Sequence, residues 1–133
     1  MANAIYPKFK EQALQGGVNL SSGNIKAVLV DLADYTYSAA HEFLSDVAAI
    51  GRVATSGNLA SKSFTNGTFD SADFSFTAVT GDQSEALIVF IDTGTPSTSR
   101  LVAFYDAGVT GLPVTPNGGD INVTVNASGW FSL

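Results

Sequence analysis

The sequence predicts an all-β fold: a single-domain, two-sheet β-sandwich of jelly-roll type with two short helices in the N-terminal half. Three observations carry this. Short apolar runs recur along the chain, separated by turns rich in Gly, Pro, Asn and Asp. The pattern over residues 74–78 (FSFTA) and 121–126 (INVTVN) alternates with period two, as a half-buried strand requires. Finally, 133 residues with 45% hydrophobic content are enough for one core and no more. One domain over residues 1–133 is expected, divided into an N-terminal helical arm (1–17) and the sandwich (18–133).

The arm begins with Pro7, which suits a first helical position, and the pair Gly16-Gly17 suits its stop. Phe9, Ala13 and Leu14 share one face, and Ile5 and Tyr6 precede the start. So short a helix is marginal alone and needs a surface to lie on. A second helix is expected over residues 39–49, with Ser38 as cap, Glu42 in the first turn and Gly51 beyond the end. Phe43, Leu44, Val47 and Ile50 recur there at helical spacing.

The remaining elements read as strands. Residues 25–32 (IKAVLVDL) are apolar almost throughout, as in a strand buried on both faces. Residues 35–37 and 52–55 flank the second helix, and residues 59–64 form a weaker, more polar strand. Residues 86–91 and 101–105 are the strongest candidates. A polar turn over residues 93–99 lies between them, so they should pair as a central antiparallel hairpin. Residues 130–133 close the chain. The expected core comprises Val28, Val30, Phe43, Phe76, Leu87, Val89, Ile91, Leu101, Ala103, Val123 and Val125.

Charge narrows the function classes. Only 14% of residues are charged and the net charge is −6. Phosphate recognition needs clustered Lys and Arg, whereas the six basic residues here are scattered, so no nucleic-acid partner and no membrane partner is expected. A surface this poor in charge favours self-association or assembly. With no cysteine and one histidine, thiolate sites and transition-metal clusters are not expected, and neither is any cofactor.

His41 lacks a neighbouring nucleophile and reads as a helix-surface or packed residue. Asp70 and Asp73 sit in an oxygen-rich loop (TNGTFDSADF). Its spacing is not that of a calcium loop, so they read as turn residues bonding to backbone. No phosphate-binding glycine pattern and no paired-carboxylate constellation is present, so the chain reads as a non-enzyme. Trp130, out of phase with Phe131 and Leu133, is the best candidate for an exposed aromatic, either a stacking platform or a protein–protein anchor.

Several segments taken together have a further resemblance. NAIYPKFKEQAL, IKAVLVDLADYTYSAAHEFLSDV, GRVATSGNL, FDSADFSFTAV, EALIVFIDTG, SRLVAFYD and GLPVTPNGGDINV resemble a family of small virion proteins of tailed bacteriophages. The likeness runs from about Asn3 to Leu133 and is most specific in YTYSAAHEFLSD and GLPVTPNGGDI. The last strand, VTVNASGWFSL, departs from it in being shorter and less charged. The resemblance implies a capsid decoration (cement) protein that binds the major capsid protein shell and stabilises the head. Such a protein is made in the host bacterial cytoplasm and incorporated at the virion surface, beside neighbouring copies of itself as a homo-oligomer on the particle. The alternative it leaves open is a tail tube, tail-tip or fibre component acting in tail assembly or host contact. On either reading the arm is expected to dock on a neighbouring subunit. Tyr6 and Phe9 would be its anchors, with Ile5, Leu14 and Trp130 contributing and Lys8 and Lys10 facing acidic groups at the rim.

Overall fold

The computed structural model describes residues 3–109 and 111–133, and among them the chain is mostly β, with antiparallel sheets and one α-helix. Met1, the first residue of the predicted arm, lies outside the described residues. The organising element is the expected hairpin. Strand β6 (Ala86–Asp92) pairs antiparallel with β7 (Arg100–Tyr105), Leu87 opposite Tyr105 and Val89 opposite Ala103, with a bulge after Val89. The hydroxyls of its turn close the loop on itself: Ser99 Oγ donates to Thr95 O at 2.9 Å, and the N–H of Thr93 donates to Ser99 Oγ at 3.0 Å. Ser99 is thereby buried without an orphaned polar group.

On the other side of β6 lies β2 (Asn24–Val30), paired along its whole length from Asn24 opposite Asp92 to Val30 opposite Ala86. Strand β3 (Arg52–Thr55) adds outside β2, and β1 (Ala4–Ile5) adds outside β7. The five-stranded order is β1-β7-β6-β2-β3, which places β6 and β7 inside the sheet as their two-sided apolar pattern requires. The register puts Ala27, Leu29, Leu87, Val89 and Ala103 on one face and Val28, Val30, Ile88 and Phe104 on the other; all are buried.

Both faces are covered. Over the Phe104 face, Tyr35 and Tyr37 stack at 6.3 and 5.3 Å between ring centroids. Against Tyr105, on the opposite face, lies Trp130 at 5.4 Å. Trp130 belongs to a layer made of two ribbons: β4 (Thr68–Phe69) with β9 (Phe131–Ser132), and β5 (Phe74–Phe76) with β8 (Ile121–Val123). The ribbons add Phe69, Phe76 and Val123 to the same core as the main sheet. In place of a continuous second sheet, the described residues thus form two separate ribbons, and the sheets are not closed. The reason is local. Left-handed backbone lies just before β4, β8 and β9, at Asn66, Gly118 and Gly129, and just after β5, at Ala78, so each ribbon strand is bounded at one end by a turn.

The helix α1 (Pro7–Gln15) forms as expected, with Pro7 at its start and Gly16 in left-handed conformation at its end, φ +75°. Its relation to the domain does not match the expectation. Tyr6 is 0% and Phe9 2% exposed; the N–H of Tyr6 donates to Val102 O at 3.0 Å, and Phe9 meets Phe131 edge-on. Ile5 packs against the same core. The arm is part of the domain, and Tyr6 and Phe9 are core residues rather than anchors for a neighbour.

The second expected helix does not form. Residues 39–49 hold a turn, a 3₁₀ turn at Leu44–Asp46 and the start of another at Ala49–Gly51. The open edge of β7 draws this segment in: Leu44 N–H donates to Ser99 O at 2.7 Å, and Leu101 N–H donates to Glu42 O at 3.1 Å. A spacing of three, as in Leu44, Val47 and Ile50, fits three residues per turn as well as a helix face. Residues 59–64 are reduced to one bridge, Ser63 to Asp70, and residues 35–37 are extended but unpaired. Of the expected core, Phe43, Ile91 and Val125 are half-buried and the rest are buried.

Candidate functional site

Three features bear on function, and the polar ones come first. His41 Nδ1 and Tyr35 Oη share a hydrogen bond of 2.8 Å, and Tyr35 Oη shares another of 2.8 Å with Tyr6 Oη. The histidine therefore terminates a chain of phenols that ties the 35–41 segment to the buried Tyr6. Burial pushes the Tyr6 phenol up and raises that of Tyr35 to about 12, so both stay protonated and act as hydrogen-bond groups.

Asp70 and Asp73 both bond to backbone, Asp70 within its own turn and Asp73, unlike a turn residue, across to the segment after β8. Asp70 Oδ1 accepts the N–H of Ser71 at 2.8 Å, and Asp73 Oδ1 accepts the N–H of Val125 at 2.7 Å. The carboxylates that do converge are Asp31, Asp34 and Asp82, with one oxygen each within 4.8 Å of the others. Desolvation, then the charges of Asp31 and Asp82, raise the Asp34 carboxyl above its usual range. Sequence reasoning missed this trio because Asp82 joins it from a loop some fifty residues away. Asp31 Oδ1 already accepts the N–H of Ala33 at 2.9 Å, and the cluster has no feature beyond its charge that points to an ion.

The second feature is apolar. Between α1, the loop 18–21, Phe64 and Leu133 runs a groove of about 250 Å³, floored by Phe9 and walled by Ala13, Val18 and Leu20. Phe64 is 39% and Leu133 68% exposed, and Leu14, beside Ala13 on the helix, is 89% exposed. The loop is held from within: Lys62 Nζ donates to Leu20 O and Gly23 O at 2.7 Å each and to Ser21 O at 3.3 Å. On the helix, Lys8 pairs with Glu11 at 3.2 Å, while Lys10 is exposed. Of the seven residues predicted to contact a partner, Leu14, Lys8 and Lys10 are at the surface. Ile5, Tyr6 and Phe9 serve the core. Trp130 is 9% exposed and fixed by a 2.8 Å hydrogen bond from its indole N–H to Ser71 Oγ, so it is no free anchor.

The third feature is a cleft of about 430 Å³ between the 105–109 loop, Asn3 and the C-terminal segment 123–132, with Trp130 and Tyr105 in its lining.

No known family model matches the chain, and no curated protein matches it significantly. The likeness to small phage virion proteins rests on the quoted sequence segments alone. Among the described residues, no helix is long and apolar enough to cross a membrane.

Proposed function

We propose that this chain is a bacteriophage virion structural protein, a capsid decoration (cement) protein that binds the major capsid protein shell and stabilises the head. The observation that carries the reading is the apolar groove beside α1, rimmed by Phe64 and Leu133, together with the exposed Leu14 on the same helix. Large apolar side chains left this exposed beside a groove mark a contact surface. Covering Leu14 and Leu133 would contribute about 3 kcal/mol before ordering costs. In an assembled shell that gain recurs at every copy. The low surface charge and the sequence resemblance support the same reading. On it, the contact surface is the outward side of α1 rather than Tyr6 and Phe9, and the two ribbons serve as the second layer of a jelly-roll-type sandwich. Lys8 and Lys10 flank that surface within an otherwise acidic chain, which suits an acidic rim on the partner. The chain acts by binding, without chemistry of its own.

The second reading is a tail tube, tail-tip or fibre component. The cleft near Trp130, which shares no lining residue with the groove, favours it by offering a second contact surface. Quantitative mass spectrometry of heads and tails separated from purified virions distinguishes the two, since a tail-tube protein would also be present in many copies. A copy number in fixed ratio to the major capsid protein is expected. A handful of copies per particle would move the assignment to the tail tip or fibre, and absence from the particle would end both.

A further inference from the structure

We infer that the cleft beside Trp130 is a binding site for a neutral saccharide, a function beyond the shell contact proposed above. The argument starts from what lines it. Its walls are built from Asn, Ser, Thr, Gly, Ala, Val and aromatic residues, without one charged side chain, in a protein carrying 18 charged residues. Among the described residues, the lining offers an anionic or cationic ligand no charged side chain. A ligand that is polar at its edges and apolar on its faces meets matching groups.

The apolar part is fixed in place. Trp130 is held at both ends: its indole N–H donates to Ser71 Oγ at 2.8 Å, and its backbone N–H donates to Phe69 O at 2.7 Å. Tyr105 lies against it and donates its hydroxyl to Trp130 O at 2.6 Å. Trp130 and Tyr105, with half-buried Val109 and Val125, give the cleft an apolar floor. An apolar floor with a few placed polar groups at its rim accepts the C–H face of a sugar ring.

The polar part is at the rim. Asn126 is oriented by its own turn, its Oδ1 accepting the N–H of Ser128 at 2.8 Å and its carbonyl accepting the N–H of Gly129 at 2.8 Å. That leaves its amide nitrogen free to donate. Thr124 and Ser128 are exposed, and their hydroxyls make no hydrogen bond to the protein among the described residues. An amide and two hydroxyls around a pinned apolar floor suit vicinal sugar hydroxyls, which both donate and accept. The volume, about 430 Å³, lies in the range of small-molecule sites.

Trp130 is the single tryptophan and lines the cleft, so its fluorescence is a probe of binding there. The full chain is titrated with three neutral trisaccharides, maltotriose, mannotriose and triacetylchitotriose, and with the anionic trisaccharide trigalacturonate. At least one neutral sugar is expected to shift the emission saturably, with a Kd of about 1 mM or tighter, and trigalacturonate is expected to be at least tenfold weaker. Thr124→Val, at an exposed position, is expected to weaken binding about tenfold, and Ser128→Tyr, which fills the cleft, to abolish it; both should keep the parent melting temperature. A flat response to all three neutral sugars overturns the inference. So does equal binding of trigalacturonate, unchanged affinity in both variants, or displacement of the sugar by an uncharged hexapeptide at equal concentration, which would assign the cleft to polypeptide. Loss of shell binding with sugar binding intact would leave this site standing and remove only the capsid reading.

Discussion

Replacing Lys62 by methionine removes the ammonium that gathers three carbonyls and keeps the side chain up to the position of Cε. Nζ donates to Leu20 O and Gly23 O at 2.7 Å and to Ser21 O at 3.3 Å, which joins the turn ahead of β2 to the 59–63 segment. A hydrogen bond from a charged donor contributes roughly 1.5–3 kcal/mol when sheltered. Here Ser21 is exposed and Leu20 and Gly23 are half-buried, so water takes over part of the task when the ammonium is gone. The two short bonds, discounted by about half, give a loss of about 2 kcal/mol. For a domain of this size that corresponds to a fall of about 7 °C in melting temperature. Urea unfolding followed by Trp130 fluorescence measures it directly, with the m-value unchanged. The same loop walls the apolar groove, so shell binding should weaken as well. A loss under about 0.5 kcal/mol would refute the reasoning and show that solvent replaces the ammonium fully.

Three further outcomes are expected. Deleting residues 2–15 removes β1 together with the fully buried Tyr6 and Phe9; circular dichroism should show an unfolded chain, whereas a folded, cooperative truncation would restore the detachable arm. Burial raises the phenols of Tyr6 and Tyr105 and brings that of Tyr35 to about 12. A raised value means stability that is complete below the ordinary tyrosine range near about 10 and is lost as pH climbs through the folded value. Tyrosinate absorbance should therefore rise together with loss of structure between about pH 10 and 12, and independent titration of these phenols in a folded protein would contradict it. Gly129→Ala places a Cβ 2.7 Å from Phe69 O and 2.9 Å from Thr68 Cγ2 at a residue with φ +86°; it should cost about 2–3 kcal/mol by urea titration, and a neutral result would show that the β4–β9 ribbon yields easily.

The hairpin was legible because both of its signals are local. Two runs apolar on both faces, divided by a seven-residue polar turn, leave little choice but to pair inside a sheet. Helix α1 was equally plain, since Pro7 and Gly16 mark its ends by backbone chemistry alone. The second helix was misread because residues 39–49 answer to a distant partner: the unpaired edge of β7 takes their backbone, and no local pattern announces that. The role of Tyr6 and Phe9 was misread for a related reason. Two strand residues ahead of the helix are too few to read as β1, yet they pair with β7 and swing both aromatics into the core. The apolar groove collects Ala13, Leu20, Phe64 and Leu133 from across the chain, and the cleft brings Asn3 beside residues 105–109 and 123–132. Neither leaves a periodic trace in the sequence. What composition did convey was the character of the cleft, poor in charge and rich in small polar residues.

The central claim, that the outward side of α1 is the surface by which the protein holds a phage head, is tested most directly by cosedimentation of the purified chain with heads lacking it. Leu14→Asp is the decisive variant, because Leu14 is 89% exposed and its replacement leaves the core untouched. The account predicts saturable binding of the parent chain and a loss of at least tenfold for Leu14→Asp at an unchanged melting temperature. Equal binding by the two chains, or no binding by either, would contradict it.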